Sequence, residues 1–364
     1  MISRWFFAET LPTWALFLEI LIAGFIVVLL ASRLTRLADR LSDEFNLGKA
    51  WIGLLLLATV TSLPEVVTGS TAVAIGNANM AFATLFGSCS FNLVLIVLLN
   101  AFIKGGSVLR RATNREAPGP HVLTSSFGII LLALALIGIS LVDKFHHHAA
   151  AAQTCEVVIV LIIAVSYIAF VRLTYNFDRA NRDPLPPEPL RPSIPRTPGL
   201  GRKIALISVL LVIASWWLTK TGDVLAVHRI ELIGRPLGAS FVGAAFLALA
   251  TSLPEVVTCL AAVKLGHLDM ALGNIFGSNM FNMLVIPFLK VVSVCSGQSL
   301  LMAGPAFNAL TATIAGLLPV LLTAITVASL TYRTERRILR FGYDSVLLAV
   351  VYAIGMYVLF TDGA

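Results

Sequence analysis

Residues 58–96 read ATVTSLPEVVTGSTAVAIGNANMAFATLFGSCSFNLVLI, and residues 248–286 read ALATSLPEVVTCLAAVKLGHLDMALGNIFGSNMFNMLVI. The two stretches align without a gap, and about twenty positions are identical. The shared residues include the octapeptide TSLPEVVT at 61–68 and 251–258, then Gly87, Ser88, Phe91 and Asn92 against Gly277, Ser278, Phe281 and Asn282. Unrelated apolar segments would agree in hydrophobicity but not in the placement of Pro, Glu and Asn. The chain therefore carries an internal duplication.

Composition names the solvent. Hydrophobic residues make up 58% of the 364 and charged residues 12%, about half the charge of a soluble domain. That is the balance of a polytopic membrane protein. The net charge of +7 does not point to nucleic acid, because Lys and Arg lie in short loops between apolar runs, where they orient a membrane protein. Cys89, Cys155, Cys259 and Cys295 stand singly, without metal-ligand spacing, and read as small packing residues. Cys89, next to Ser88, is also expected to border any cavity there.

Five apolar runs fill the first half, near residues 14–31, 50–75, 80–103, 121–142 and 155–173. Each is close to the twenty or so residues a helix needs to cross a bilayer. Glu9 and Pro12 argue against a cleaved leader, so the first run reads as a retained helix. Seven prolines in 183–199 exclude a helix there and mark a solvated connector, too short for a folded domain. Five further runs follow, near 203–218, 240–265, 270–294, 304–329 and 344–360.

The reading is thus an all-α polytopic membrane protein of about ten transmembrane helices. It divides into a first half at 1–175, with the repeat at 58–96, a Pro-rich linker at 176–202, and a second half at 203–364, with the repeat at 248–286. With the N-terminus outside, about 20 of the 26 basic residues fall on inner loops, which assigns both termini outside and the linker to the cytoplasm. An odd number of spans per half makes the halves an inverted pair. That is the layout of many secondary transporters, whose sites lie near the midplane between the repeats, on broken helices.

Within each repeat the polar side chains are placed as a site requires. Thr61, Ser62, Glu65 and Thr68 share one side of a helix, and Thr84, Ser88 and Asn92 recur every four residues on the next. Thr251, Ser252, Glu255 and Thr258, then Asn274, Ser278 and Asn282, copy them. Pro64 and Pro254 should break their helices one turn earlier, near Val60 and Ala250, and Gly87 and Gly277 should loosen the partner helices. Carboxylates, hydroxyls and freed carbonyls form the ligand set that hard cations prefer.

Ser and Thr in membrane helices commonly serve packing alone. A mid-span Glu is different, since its burial costs at least a few kcal/mol, and two at equivalent repeat positions mark the site. Glu19, Glu156 and Asp344 lie near predicted helix ends and are expected to reach the interface. His146, His147 and His148 read as an outer-loop run rather than a metal site.

At these residues the sequence resembles the sodium/calcium exchanger family of the calcium/cation antiporter superfamily, whose two alpha-repeats carry a G/T-S-x-P-E motif and a G-N-x-x-G-S-N-x-x-N/D motif. TSLPE at 251–255 and GNIFGSNMFN at 273–282 match closely. The first repeat keeps TSLPE at 61–65 but has Ala83, Thr84 and Cys89 where the motif has Gly, Asn and Asn. The resemblance implies an antiporter that exchanges Ca²⁺ for Na⁺ by alternating access, not an enzyme, with no cofactor beyond the transported ions. It implies that Glu65 and Glu255 bind Ca²⁺ with the backbone carbonyls of Thr61 and Thr251. Ser62, Ser88, Ser252 and Ser278 would complete flanking Na⁺ sites, and Asn92 and Asn282 would close the centre. Some members carry Asp at one central position; here both are Asn, so a proton-coupled exchanger is the alternative, ahead of a cation channel. An intramembrane metalloprotease is excluded by the lack of a His-x-x-x-His pair in any run. The modest size suggests a prokaryotic-type member of the cytoplasmic membrane.

Overall fold

The fold was analysed in a computed structural model that describes residues 13–74, 76–102, 108–109, 119–180, 196–227, 229–230, 235–236, 251–298, 300, 309–332, 337–338 and 341–362. Twelve α-helices follow in order among these residues: α1 (Thr13–Glu44), α2 (Lys49–Ile52), α3 (Ala58–Thr61), α4 (Leu63–Ala74), α5 (Ala78–Phe102), α6 (Pro120–Lys144), α7 (Ala149–Ala180), α8 (Leu200–Val227), α9 (Leu253–Lys264), α10 (Leu268–Cys295), α11 (Ala309–Tyr332) and α12 (Tyr343–Asp362). Two antiparallel ladders of two residues per strand pair β1 (Arg229–Ile230) with β2 (Arg235–Pro236) and β3 (Arg337–Ile338) with β4 (Phe341–Gly342).

Seven of these helices are long and apolar enough to cross a membrane, and the α2–α4 segment, bent by 40°, makes an eighth. The chain is an integral membrane protein built of helices, the two short ladders apart. Residues 237–250, which hold the first part of the expected run 240–265 and the expected break near Ala250, lie outside the described residues, as does most of the Pro-rich connector. Several helices outrun their apolar stretches. α1 continues through Arg33, Arg36 and Arg40 to Glu44, α7 continues to Ala180, and α8 begins at Leu200, so helix encroaches on both ends of the expected linker. Once a helix is anchored by its buried face, adding a further turn in water needs no nucleation.

The centre is identified by burial. In α5 and α10, 61% of the apolar stretch is buried, against 22% in α1 and 28% in α7, whose Phe25, Leu29, Leu161 and Val165 point outward. Large apolar side chains on an outer surface are what a lipid-facing helix presents. Two apolar cores stack along α5 and α10. One contains Leu93, Ile96 and Leu99 of α5 with Met270, Ile275 and Phe276 of α10; the other contains Phe82, Leu85 and Phe86 with Met280, Met283 and Ile286. The polar side chains Ser88, Ser90 and Asn92, and Ser278, Asn279 and Asn282, lie between them.

Packing partners also correspond between the halves. α5 packs on α12 and α11, while α10 packs on α7 and α6, and α8 lies along α1.

Candidate cation site

The break that builds the site falls at Ser62, the serine before Leu-Pro in the first repeat. Pro64 stands four residues after Val60 and has no N–H to offer that carbonyl, so the helix ends at Thr61 and restarts at Leu63. Ser62 sits at the bend with φ −91° and ψ 6°, and Ser252 adopts φ −90° and ψ 7°. Two residues 190 positions apart thus take the same local conformation. The expectation of a break near Val60 is met.

Gly87 and Gly277 behave otherwise than expected. α5 and α10 run unbroken through both. A Cβ at Gly277 would lie 2.6 Å from the Leu54 carbonyl oxygen and 2.8 Å from the Ala58 Cβ, and one at Gly273 would collide with the Ala50 carbonyl oxygen. These glycines let α10 lie directly on the backbone of α2, α3 and the π-helical turn Gly53–Leu57 between them, as small residues four apart do in membrane helices. Nothing lies within 4 Å of a Cβ built on Gly87. The π turn carries no glycine–proline signature that the sequence could have shown; such turns recur at functional sites.

On this frame the side chains of the two repeats interlock. Ser62 Oγ donates to Glu255 Oε1 at 3.1 Å, and Ser88 Oγ donates to Glu65 Oε1 at 3.0 Å while lying 3.5 Å from Ser252 Oγ. The Thr61 hydroxyl lies 3.4 Å from Asn274 Oδ1, and Asn274 Nδ2 donates to Thr258 Oγ1 at 2.9 Å. Asn92 Nδ2 donates to Asn279 Oδ1 at 3.0 Å, and Asn282 Nδ2 faces Cys89 Sγ at 3.7 Å. Cys89 and Asn279 are equivalent positions, so these last two contacts correspond between repeats. Glu65 and Glu255 are each 1% exposed, and Thr61, Ser62, Ser88, Asn92, Thr251, Ser252, Ser278 and Asn282 are all buried.

The remaining atoms carry the chemistry. Glu65 Oε2, Glu255 Oε2, Asn92 Oδ1, Asn282 Oδ1 and Ser278 Oγ are buried without a hydrogen-bond partner. Buried polar atoms are almost always paired, and leaving a carboxylate oxygen unpaired at membrane depth is expensive. Five orphaned oxygens, four of them in equivalent pairs, are the hard ligand set that an alkali or alkaline-earth cation would satisfy. Ser88 and Ser278 both stand 10 residues into their helices, and Asn92 and Asn282 both stand 14, near the middle of each span.

The ten residues expected to hold the ions are all buried, and Ser62, Glu255, Ser88, Ser252 and Glu65 are linked by the contacts above. Thr84 stays outside, its hydroxyl turned to the Met80 carbonyl at 2.8 Å, whereas Asn274 at the equivalent position enters the network. Asn279 and Cys89 were not read from the sequence as partners of the two central asparagines. Glu156 departs from the reading as an interfacial side chain. It is fully buried, and Lys290 Nζ reaches its Oε2 at 2.8 Å, joining α7 to α10. His146 Nδ1 contacts the Asp143 carbonyl on an exposed turn, and no group of three metal-ligating His, Cys, Asp or Glu side chains occurs among the described residues.

The model of the sodium/calcium exchanger protein family matches residues 15–176 and 204–361. The chain belongs to that family, which is a family of cation antiporters. It is similar to inner membrane protein YrbG of Escherichia coli, at 29% identity over 73% of this chain and 77% of the relative. It is also similar to the vacuolar calcium ion transporter of Schizosaccharomyces pombe, at 26% identity over 75% and 65% of the two chains. Its fold is that of the sodium-calcium exchanger NCX_Mj, at a TM-score of 0.63 with 95% of this chain and 99% of the other covered, at 20% identity.

Proposed function

We propose that the chain exchanges Ca²⁺ for Na⁺ by alternating access around the Glu65–Glu255 site, as ten helices in two inverted five-helix halves. The observation that carries this reading is the set of five orphaned oxygens shared between the repeats. Glu65 and Glu255, with the carbonyls of Thr61 and Thr251, hold Ca²⁺. Ser62, Ser88, Ser252 and Ser278 serve Na⁺, and Asn92 and Asn282 close the centre. The family and the calcium-transporting relative support Ca²⁺ as cargo. The matched packing of α5 on α12 and of α10 on α7 supports the inverted pair. Apolar cores on both sides of the site support a closed, alternating site over an open file of sites such as a channel uses. Positive-inside counting supports termini outside and linker 176–202 in the cytoplasm of a prokaryotic-type cell.

Charge arithmetic sets the coupling. With both central residues Asn, two carboxylates carry about two negative charges, which one Ca²⁺, two Na⁺ or two H⁺ would cancel. A third Na⁺ would move one charge and couple transport to voltage at about 2.3 kcal/mol per 100 mV. The four serine hydroxyls, of which Ser62 and Ser88 bond the carboxyls, favour Na⁺ as a ligand set. The neutral Asn92 and Asn282 favour the alternative, exchange for protons carried on the glutamates.

In proteoliposomes with pH clamped, an outward Na⁺ gradient should drive Ca²⁺ uptake. Uptake driven only by a pH gradient would overturn the sodium reading, and a valinomycin-set potential separates two Na⁺ from three.

A further inference from the structure

A second charged feature lies away from the cation site, where α1 leaves the apolar layer beside the first turns of α8. A groove of about 390 Å³ is lined there by Arg33, Arg36, Leu37 and Arg40 of α1 and Lys203 and Ile207 of α8. The spacing on α1 is i, i+3, i+4, i+7, so the three arginines form one stripe. Their acidic neighbours face elsewhere. Asp39 and Asp43 both contact Lys49, and Asp39 also meets His267, while Glu44 accepts from the Thr197 amide. Among the described residues, none of the four groove cations has a carboxylate partner, and all four are exposed.

Depth matches charge. The apolar run of α1 ends at Ala31, so at about 1.5 Å per residue Arg33 to Arg40 occupy the first ~3–13 Å beyond the hydrocarbon, the headgroup layer. Lys203 is likewise followed at once by the apolar run of α8. Above the arginines the same faces continue as outward-facing Phe25 and Leu29 on α1 and Leu206 and Leu210 on α8. A cationic mouth over paired apolar rails fits one ligand chemistry, a phosphate monoanion or dianion attached to acyl chains. We propose that this groove is a binding site for an anionic phospholipid of the leaflet on the α1–α2 side, whose headgroup bridges α1 and α8. Arginine supplies planar forks that grip phosphate oxygens in pairs, and basic pockets between membrane helices recognise such headgroups.

The test is lipid retention by native mass spectrometry, after purified protein is exchanged through detergent with phosphatidylglycerol and phosphatidylcholine mixed in equal amounts. Wild-type protein should keep one phosphatidylglycerol per chain in preference to phosphatidylcholine. The Arg33→Gln/Arg36→Gln/Arg40→Gln variant should lose that preference by at least about tenfold, and Arg172→Gln/Arg179→Gln/Lys264→Gln, which removes equal charge from exposed positions outside the groove lining, should keep it. Lys203→Glu, a single change on the other helix, should weaken retention in the same direction and carries the test if the triple variant does not fold. Equal retention by groove variants and wild type, or no wild-type preference, overturns the proposal. Displacement of the lipid by excess inorganic phosphate at matching affinity would assign the groove to a free anion and overturn the lipid assignment.

Discussion

The Ser62 hydroxyl, from the first repeat, donates to the Glu255 carboxyl of the second at 3.1 Å. The first half of the chain therefore finishes the second half's ligand, while Ser88 donates to Glu65 within its own repeat and meets the second at Ser252, 3.5 Å away. Hydrogen bonds to charged groups are worth about 1.5–3 kcal/mol. Ser62→Ala should weaken the half-saturating concentration of the transported ions by roughly ten- to a hundredfold, with Ser62→Thr close to wild type. Ion-concentration series in proteoliposomes measure this, and equal curves for Ser62→Ala and wild type would remove Ser62 from the site.

Gly87 and Gly277 occupy the same repeat position and should respond oppositely to one methyl group. At Gly277 the new Cβ meets the Leu54 backbone at 2.6 and 2.7 Å, which α10 can relieve only by moving off the π turn Gly53–Leu57; at Gly87 it meets nothing within 4 Å. Gly277→Ala should lower stability by about 3 kcal/mol, the upper range for overpacking, and displace Ser278 and Asn282 from the site. Gly87→Ala should be neutral or slightly stabilising. Thermal unfolding in detergent compares them directly.

Glu156 and Lys290 predict a third pattern. Removing one partner of a buried ion pair leaves the other charge uncompensated, typically at about 3–5 kcal/mol. Lys290→Met alone should be strongly destabilising, whereas Glu156→Leu/Lys290→Met should recover most of the loss. Thermal melts of the two single variants and the double variant form the cycle, and additive effects would show that the pair is not coupled.

Much of this architecture was legible because the duplication prints its constraints twice. The repeated Pro located the bend at Ser62, and the repeated mid-span Glu marked two carboxyls that the fold buries. What the sequence withheld are relations across the repeats. Gly277 reads the same as Gly87, and only the close approach of Leu54 makes it a packing residue. Glu156, near one helix end, looks free to reach water until the fold sets Lys290 beside it. Cys89 reads as small and apolar, yet its carbonyl accepts from Asn279 Nδ2 at 3.0 Å and its thiol faces Asn282. Thr84 and Asn274, equivalent by position, diverge because a threonine hydroxyl can reach its own helix carbonyl and an asparagine amide extends beyond it.

The central claim is that Glu65 and Glu255 together neutralise the transported divalent ion. Neither glutamine variant loses a side-chain atom, so each should fold like wild type while halving the charge of a site in a medium that screens poorly. The most direct measurement is isotopic Ca²⁺ uptake into Na⁺-loaded proteoliposomes carrying Glu65→Gln or Glu255→Gln, with reconstituted amounts matched. The account predicts that uptake falls to the level of empty liposomes in both variants; uptake at the wild-type rate in either one would contradict it.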